Sequence, residues 1–191
     1  MNDRELAWEL AGEKKLLHTA VFDVYTQHER AANGLEGDYI SLEAPDCVVV
    51  IPRTEKGFLL VRQWRHGASR ITVEFPGGVI GRGEDPAEAA LRELYEETGF
   101  RAGRITELGC VSPNPALFRS SFRVYLAEEL EDLGTPEPDP DEFIEITLLP
   151  EEEVIASFGS PEMSHAFMGA ALALYMRKRL INNKEKPCES I

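Results

Sequence analysis

Glu74-Phe75-Pro76-Gly77-Gly78-Val79-Ile80-Gly81-Arg82-Gly83-Glu84-Asp85-Pro86-Ala87-Glu88-Ala89-Ala90-Leu91-Arg92-Glu93-Leu94-Tyr95-Glu96-Glu97-Thr98-Gly99-Phe100 is the stretch on which the reading of this chain turns. A strand end runs into a glycine-rich turn, and the turn into the best-marked helix of the sequence, Pro86–Thr98. Asp85 is placed to cap it, Pro86 suits its first position, Glu88 stands where a capping box would close, and Gly99 suits a left-handed end. At about 100° per residue, Ala87, Ala90, Leu91, Leu94 and Thr98 share a face that predicts packing on a sheet. Glu93, Glu96 and Glu97 share another face, spaced i, i+3, i+4. Like charges so placed repel by roughly 0.2–0.5 kcal/mol per pair. They also crowd the helix end where the backbone dipole is already negative. Arg92, about 40° from Glu96 on the wheel, can pair with it but not with all three. Two readings of the acidic face stay open: an exposed helix end screened by salt, or a divalent cation taking carboxylate oxygens. The glycines Gly77, Gly78, Gly81 and Gly83 would let main-chain groups approach a ligand or metal closely.

Working outward, Cys47 to Ile51 is a continuous apolar run that suits a strand buried on both faces. Phe58 to Val61 and Ile71 to Phe75 read as the next strands. After the helix, strands are expected at Ile105 to Val111, Ser121 to Ala127 and Ile144 to Leu148. Glu128 to Asp141 is acidic, carries Pro136, Pro138 and Pro140, and reads as a loop. A last helix is expected from Ser164 to Leu180. Ahead of the apolar run, residues 1 to 15 read as a polar-faced helix, with short strands at Leu17 to Tyr25 and Tyr39 to Leu42.

The bulk numbers set limits. The 191 residues fit one domain with a small appendage. With 43% hydrophobic and 28% charged residues the chain can bury a sizeable core. A net charge of −14 argues against broad nucleic-acid binding, which runs through Lys and Arg. It leaves room for a small anionic ligand where arginines or a cation offset the field. Cys47, Cys110 and Cys188 are far apart and suggest neither a disulfide framework nor a zinc site. No run approaches the ~20 apolar residues of a membrane span, and the first residues lack a signal-peptide core. The expectation is a reduced, cytoplasmic protein with no membrane association.

Taken together, Gly78, Glu84 and Arg92-Glu93-Leu94-Tyr95-Glu96-Glu97-Thr98-Gly99-Phe100 resemble the Nudix box: Gly, five residues, Glu, seven residues, Arg-Glu-aliphatic-any-Glu-Glu-any-Gly-aliphatic. Every fixed identity is present, and Phe100 stands where an aliphatic residue is usual. The resemblance implies an α/β fold, a Nudix α/β/α sandwich around a mixed sheet, here with a small N-terminal β extension. It divides the chain into an extension, residues 1–43, a hydrolase domain, residues 44–181, and a flexible tail, residues 182–191. It implies Mg²⁺ or Mn²⁺ held by Glu93 and Glu97, with Glu96 nearby, the Gly77 carbonyl as a further ligand, Glu84 in support and Arg92 holding a glutamate in place. Metals in such a site neutralise charge on a diphosphate and activate water for in-line attack.

A narrower resemblance is to the branch that hydrolyses ADP-ribose and other nucleoside-diphosphate sugars. Gln63-Trp64-Arg65 followed by Glu74-Phe75-Pro76-Gly77-Gly78, and Pro115 sixteen residues after Gly99, carry it. It implies a substrate side built from Arg65, Glu74, Gly78 and Pro115, a general base at Glu142 or failing that Glu145, and a homodimer formed through the N-terminal strands. Ser112-Pro113-Asn114-Pro115 departs from the branch's usual Ser-Pro-Gly, which leaves sugar selectivity open. Three functions therefore compete. The first is hydrolysis of a nucleoside-diphosphate sugar to nucleoside monophosphate and sugar phosphate. The second is a Nudix hydrolase of another nucleotide: a triphosphate, a dinucleoside polyphosphate or a capped RNA. The third is a non-catalytic Nudix-like ligand sensor, which would have no need of the charge crowding at Glu93, Glu96 and Glu97.

Overall fold

The computed structural model describes residues 2–137 and 143–185, in two compact units. The first comprises Met1–Asp46 and Ser112–Ser121, the second Cys47–Val111 and Phe122–Ile191.

In the first unit a single turn of helix, α1 (Asp3–Leu6), precedes three strands: β1 (Trp8–His18), β2 (Asp23–Ala31) and β3 (Glu36–Glu43). They form an antiparallel meander in the order β1-β2-β3. The expected helix over residues 1–15 is therefore mostly strand. Register shifts between Leu10 and Gly12 and between Lys15 and Leu17 break the two-residue alternation, which hides a strand pattern from the sequence. Pairing with β2 then overrides a composition that favours helix. The strand expected at Leu17 to Tyr25 is interrupted by a turn. Thr19 Oγ1 donates to the Phe22 carbonyl at 2.6 Å and accepts from the Val21 and Phe22 amides. The segment 112–121 joins this unit: the Leu42 amide donates to the Leu117 carbonyl at 2.8 Å and the Arg119 amide to the Leu42 carbonyl at 2.9 Å. Every residue of β1 is exposed, leaving Leu10, Leu16 and Leu17 about half open.

The second unit is built on a mixed sheet. Its strands are β4 (Cys47–Thr54), β5 (Gly57–Arg65), β6 (Arg70–Glu74), β7 (Phe100–Val111), β8 (Phe122–Asp132) and β9 (Glu145–Leu149). The order is β6-β5-β4-β8-β7, with β9 on the other edge of β5. β4 and β8 are parallel and every other pair is antiparallel. The apolar run is double-faced as expected. Val48 and Val50 pack with Ala89, Ala90 and Leu94 of α2 (Pro86–Thr98). Val49 and Ile51 face Val154 of α3 (Glu151–Ser157) and Met168, Ala171 and Leu172 of α4 (Ala166–Glu185). This is the α/β/α sandwich with a mixed sheet that the sequence implied. Fully buried side chains such as Ile51, Phe58 and Leu60 each contribute roughly 1.5–3 kcal/mol.

β8 extends to Asp132 through residues expected to be loop. Its acids meet bases on β7: Arg101 pairs with Glu131, and Arg104 with Glu128 and Glu129. Read along one strand, the run looked too charged to pair. The helix α3 was not foreseen, although Pro150 followed by three glutamates is a helix-start signal. Glu142 lies outside the described residues, as does most of the tail 182–191. Among the described residues no helix is long and apolar enough to cross a membrane.

Candidate active site

The site begins where β4 and β5 part. Their ladder is registered only at Arg53 with Phe58 and Thr54 with Gly57. Beyond the hairpin, the chain leaving β6 fills the vacated edge of β4. The Val50 amide donates to the Pro76 carbonyl at 2.8 Å and the Val48 amide to the Gly78 carbonyl at 2.9 Å. The loop lies so close that a Cβ on Gly77 would stand 2.2 Å from the Val48 carbonyl oxygen. Only glycine fits.

α2 presents its glutamates to this loop. The Asp85 side chain caps the helix by accepting from the Ala87 and Glu88 amides, with no return bond from Glu88 among the described residues. Gly99 ends it in a left-handed conformation. Glu97 turns inward, 3% exposed, and its Oε2 accepts from the Gly77 amide at 3.0 Å. The sequence placed it on a common acidic face with Glu93 and Glu96; of the three, Glu97 is the one that is buried, with the Gly77 loop against it. Glu93 lies against Gly78, where an added Cβ would come within 2.5 Å of its carboxylate.

Arg92 organises the rest. Its Nε and Nη2 donate to the two oxygens of Glu84 at 2.8 and 3.1 Å, and Nη1 donates to Glu93 and Glu96, each at 2.9 Å. Nη2 also donates to the Val79 carbonyl at 3.1 Å, tying the helix to the loop. One guanidinium thus serves two of the three crowded glutamates, short of all three as the wheel implies, and Glu84 besides. Hydrogen bonds from Arg92 and from the Gly81 amide hold the Glu84 carboxyl down to about 2. Its bonds to Glu84 raise Arg92 in turn, against the cost of burial. Four carboxylates against one cation remain a strongly negative locus. Among the described residues no group of three or more His, Cys, Asp or Glu side chains stands as a ready-made metal site. Glu93 and Glu97, one turn apart and both turned to the Gly77-Gly78 main chain, are the oxygens best placed for a hard cation.

On the other side of the loop lies a cleft of about 550 Å³. Gly77, Gly78 and Val79 line one part of it, Arg65 to Ala68 another, and Ser164, His165, Phe167 and Met168 a third. At its base sits Glu74, 2% exposed. Its carboxylate accepts four bonds: from Arg65 Nε at 3.1 Å, Arg65 Nη2 at 2.7 Å, Thr72 Oγ1 at 2.6 Å and His165 Nδ1 at 2.8 Å. Burial by itself would push this carboxyl up, but the bonds from His165, Arg65 and Thr72 outweigh it and hold the group well below the usual carboxylate range. Four donors fill the lone-pair sites of a carboxylate, so Glu74 borders the cleft through Arg65, Thr72 and His165. As pH falls below the ordinary value of 4.5, the unfolded chain takes up this proton before the folded one, so stability drains away. The urea midpoint should fall on going from about pH 5 to pH 3, and fall less in Glu74→Gln. Equal slopes in the two proteins would clear Glu74 of that role.

Arg65, Glu74, Gly77, Gly78, Glu84, Arg92, Glu93, Glu96 and Glu97 all gather at this loop and cleft. Glu145, the second choice for the base, is on β9 and is paired with Arg62. Pro115 belongs to the first unit. His165 was missed. A histidine just ahead of a helix carries no sequence signal, and only the fold brings it to Glu74.

Comparison with known proteins gives the chain its family and its relatives. The NUDIX domain model matches residues 44–169. The chain is 29% identical over 180 residues to the ADP-ribose pyrophosphatase of Bacillus subtilis (strain 168), covering 93% of this chain and 97% of that protein. It is 35% identical over 97 residues to the ADP compounds hydrolase NudE of Escherichia coli (strain K12), covering 50% of this chain and 52% of the other. A crystal structure of an ADP compounds hydrolase superposes with a TM-score of 0.81 at 25% identity, over 92% of this chain and 95% of that one. With the box complete, its helix in place and the domain match spanning most of the chain, this protein belongs to the NUDIX family.

Proposed function

We propose that this protein is a divalent-metal-dependent pyrophosphohydrolase that cuts the diphosphate linkage of a nucleoside-diphosphate sugar such as ADP-ribose, releasing nucleoside monophosphate and sugar phosphate. One observation carries the reading: four carboxylates and Arg92 converge on a glycine loop that also walls a cleft. The substrate class is supported by the relatives, whose names speak of ADP-ribose and ADP compounds.

The donor set fits a hard cation. Glu93 and Glu97 with the Gly77 carbonyl would hold Mg²⁺ or Mn²⁺, with Glu96 and Glu84 beside them. Such an ion neutralises charge on the diphosphate and lowers the pKa of a bound water. The chain's own residues supply positioning. Arg92 orients Glu84, Glu93 and Glu96; the Gly77 amide fixes Glu97. Gly78, with no side chain, leaves the loop open to a phosphate. Arg65, oriented by Glu74, suits a phosphate or sugar oxygen. Pro115 on the substrate side and Glu142 as general base complete the assignment. The extension, residues 1–43, is the dimerisation element, and the exposed apolar residues of β1 support that use. Light scattering on the full chain tests it, and a monomer would overturn it.

The activity test is a substrate panel with Mg²⁺ and with Mn²⁺, scored for release of AMP and sugar phosphate. ADP-ribose should be cut faster than triphosphates, dinucleoside polyphosphates or capped RNA. Turnover of triphosphates alone would overturn the substrate, and turnover of nothing would favour the sensor reading.

A further inference from the structure

Among the polar side chains that line the cleft is His165, to which the proposed hydrolytic site gives no role. The imidazole of His165 is fixed on two sides: Nδ1 bonds Glu74 at 2.8 Å, and the ring stacks on Phe167, with centroids 4.8 Å apart. Phe167 stacks in turn on Phe122 at 4.0 Å. The side chain is 37% exposed and lines the cleft wall. Among the described residues Nε2 has no partner. An ionised Glu74 can only accept, so the hydrogen between it and His165 belongs to Nδ1. On a neutral ring Nε2 is then an acceptor, and the ring lines the cleft. An acceptor held in that way matches a hydroxyl, not a phosphate oxygen, which is itself an acceptor.

We propose that His165 is a sugar-specificity residue, its Nε2 accepting a hydrogen bond from a hydroxyl on the sugar-phosphate half of the substrate. The inference rests on the nucleoside-diphosphate-sugar reading above. It predicts more than binding. A site built around a hydroxyl discriminates strongly against the analogue lacking it, because the site's polar group is then left unpaired. Glu74 is the positioning group, aiming the ring as second partners aim histidines elsewhere.

Two measurements on the full chain test this. The first is nitrogen NMR of the His165 ring in the metal-free protein, expected to show hydrogen on Nδ1 and a shift of Nε2 on adding ribose 5-phosphate. The second compares His165→Phe, which keeps a ring on Phe167, with wild type. Wild type should bind ribose 5-phosphate at least ~10-fold more tightly than one of its deoxy counterparts, and should prefer ADP-ribose over the matching deoxy substrate in kcat/KM by a similar factor. In His165→Phe both preferences should collapse. Hydrogen on Nε2 in the free protein, or discrimination unchanged in His165→Phe, would overturn the proposal. Failure of ADP-ribose to react at all would instead strike the functional reading, since the ribose 5-phosphate arm needs no turnover.

Discussion

Glu97→Gln is expected to lower kcat by at least ~100-fold, on the scale seen when one group stabilising transition-state charge is removed. The change separates charge from shape. Glutamine keeps an oxygen for the Gly77 amide, which Glu97 now binds at 3.0 Å, so the loop should keep its course. What is lost is a negative charge from a group only 3% exposed, at a helix end where the dipole already disfavours it. A carboxylate in that position is tolerable if its charge serves a cation. The thermal midpoint should therefore move by no more than a few degrees, about what 1 kcal/mol does in a chain of this size. Steady-state kinetics with Mg²⁺ beside a thermal melt read both quantities. Near-wild-type turnover would remove Glu97 from the chemistry; a collapse of both would make it a folding residue.

The second large effect separates two adjacent glycines. At Gly78 an added Cβ meets the Glu93 carboxylate at 2.5 Å, the far end of a flexible side chain. At Gly77 it meets the Val48 carbonyl oxygen at 2.2 Å, in the backbone of a buried strand. Gly78→Ala should thus push Glu93 aside, lowering kcat by ~10-fold or more while the melt stays near wild type. Gly77→Ala must displace main chain, and overpacking of that kind costs roughly 1–3 kcal/mol, a drop of several degrees. If Gly77→Ala melted like wild type, the strand-like seating of the loop on β4 would be wrong. If Gly78→Ala kept full activity, Glu93 would have no need of its place against the loop.

Several features could be read before any coordinates. The helix with its cap and left-handed end, the double-faced run at Cys47 to Ile51, and the box from Gly78 to Phe100 all depend on neighbours in sequence. Elements that depend on partners were misread. β1 looked helical because two register shifts destroy its alternation, and the end of β8 looked like an acidic loop because its counter-charges, Arg101 and Arg104, lie across the ladder on β7. The wheel gives Arg92 a partner in Glu96 but not all three glutamates, and it does serve only Glu93 and Glu96 of them; Glu84, which reaches it from the preceding loop, lies outside what a wheel can show.

The sequence by itself determined the family, the fold class and the helix that carries the acidic cluster, since periodicity, caps and motif spacing are local properties of the chain. Tertiary structure alone decided which carboxylate is buried, what Glu74 holds and that His165 faces the cleft. Those facts arise from side chains up to 91 residues apart meeting at 2.8 Å, and hydrogen bonds depend on distance in space, for which order along the chain is a poor guide.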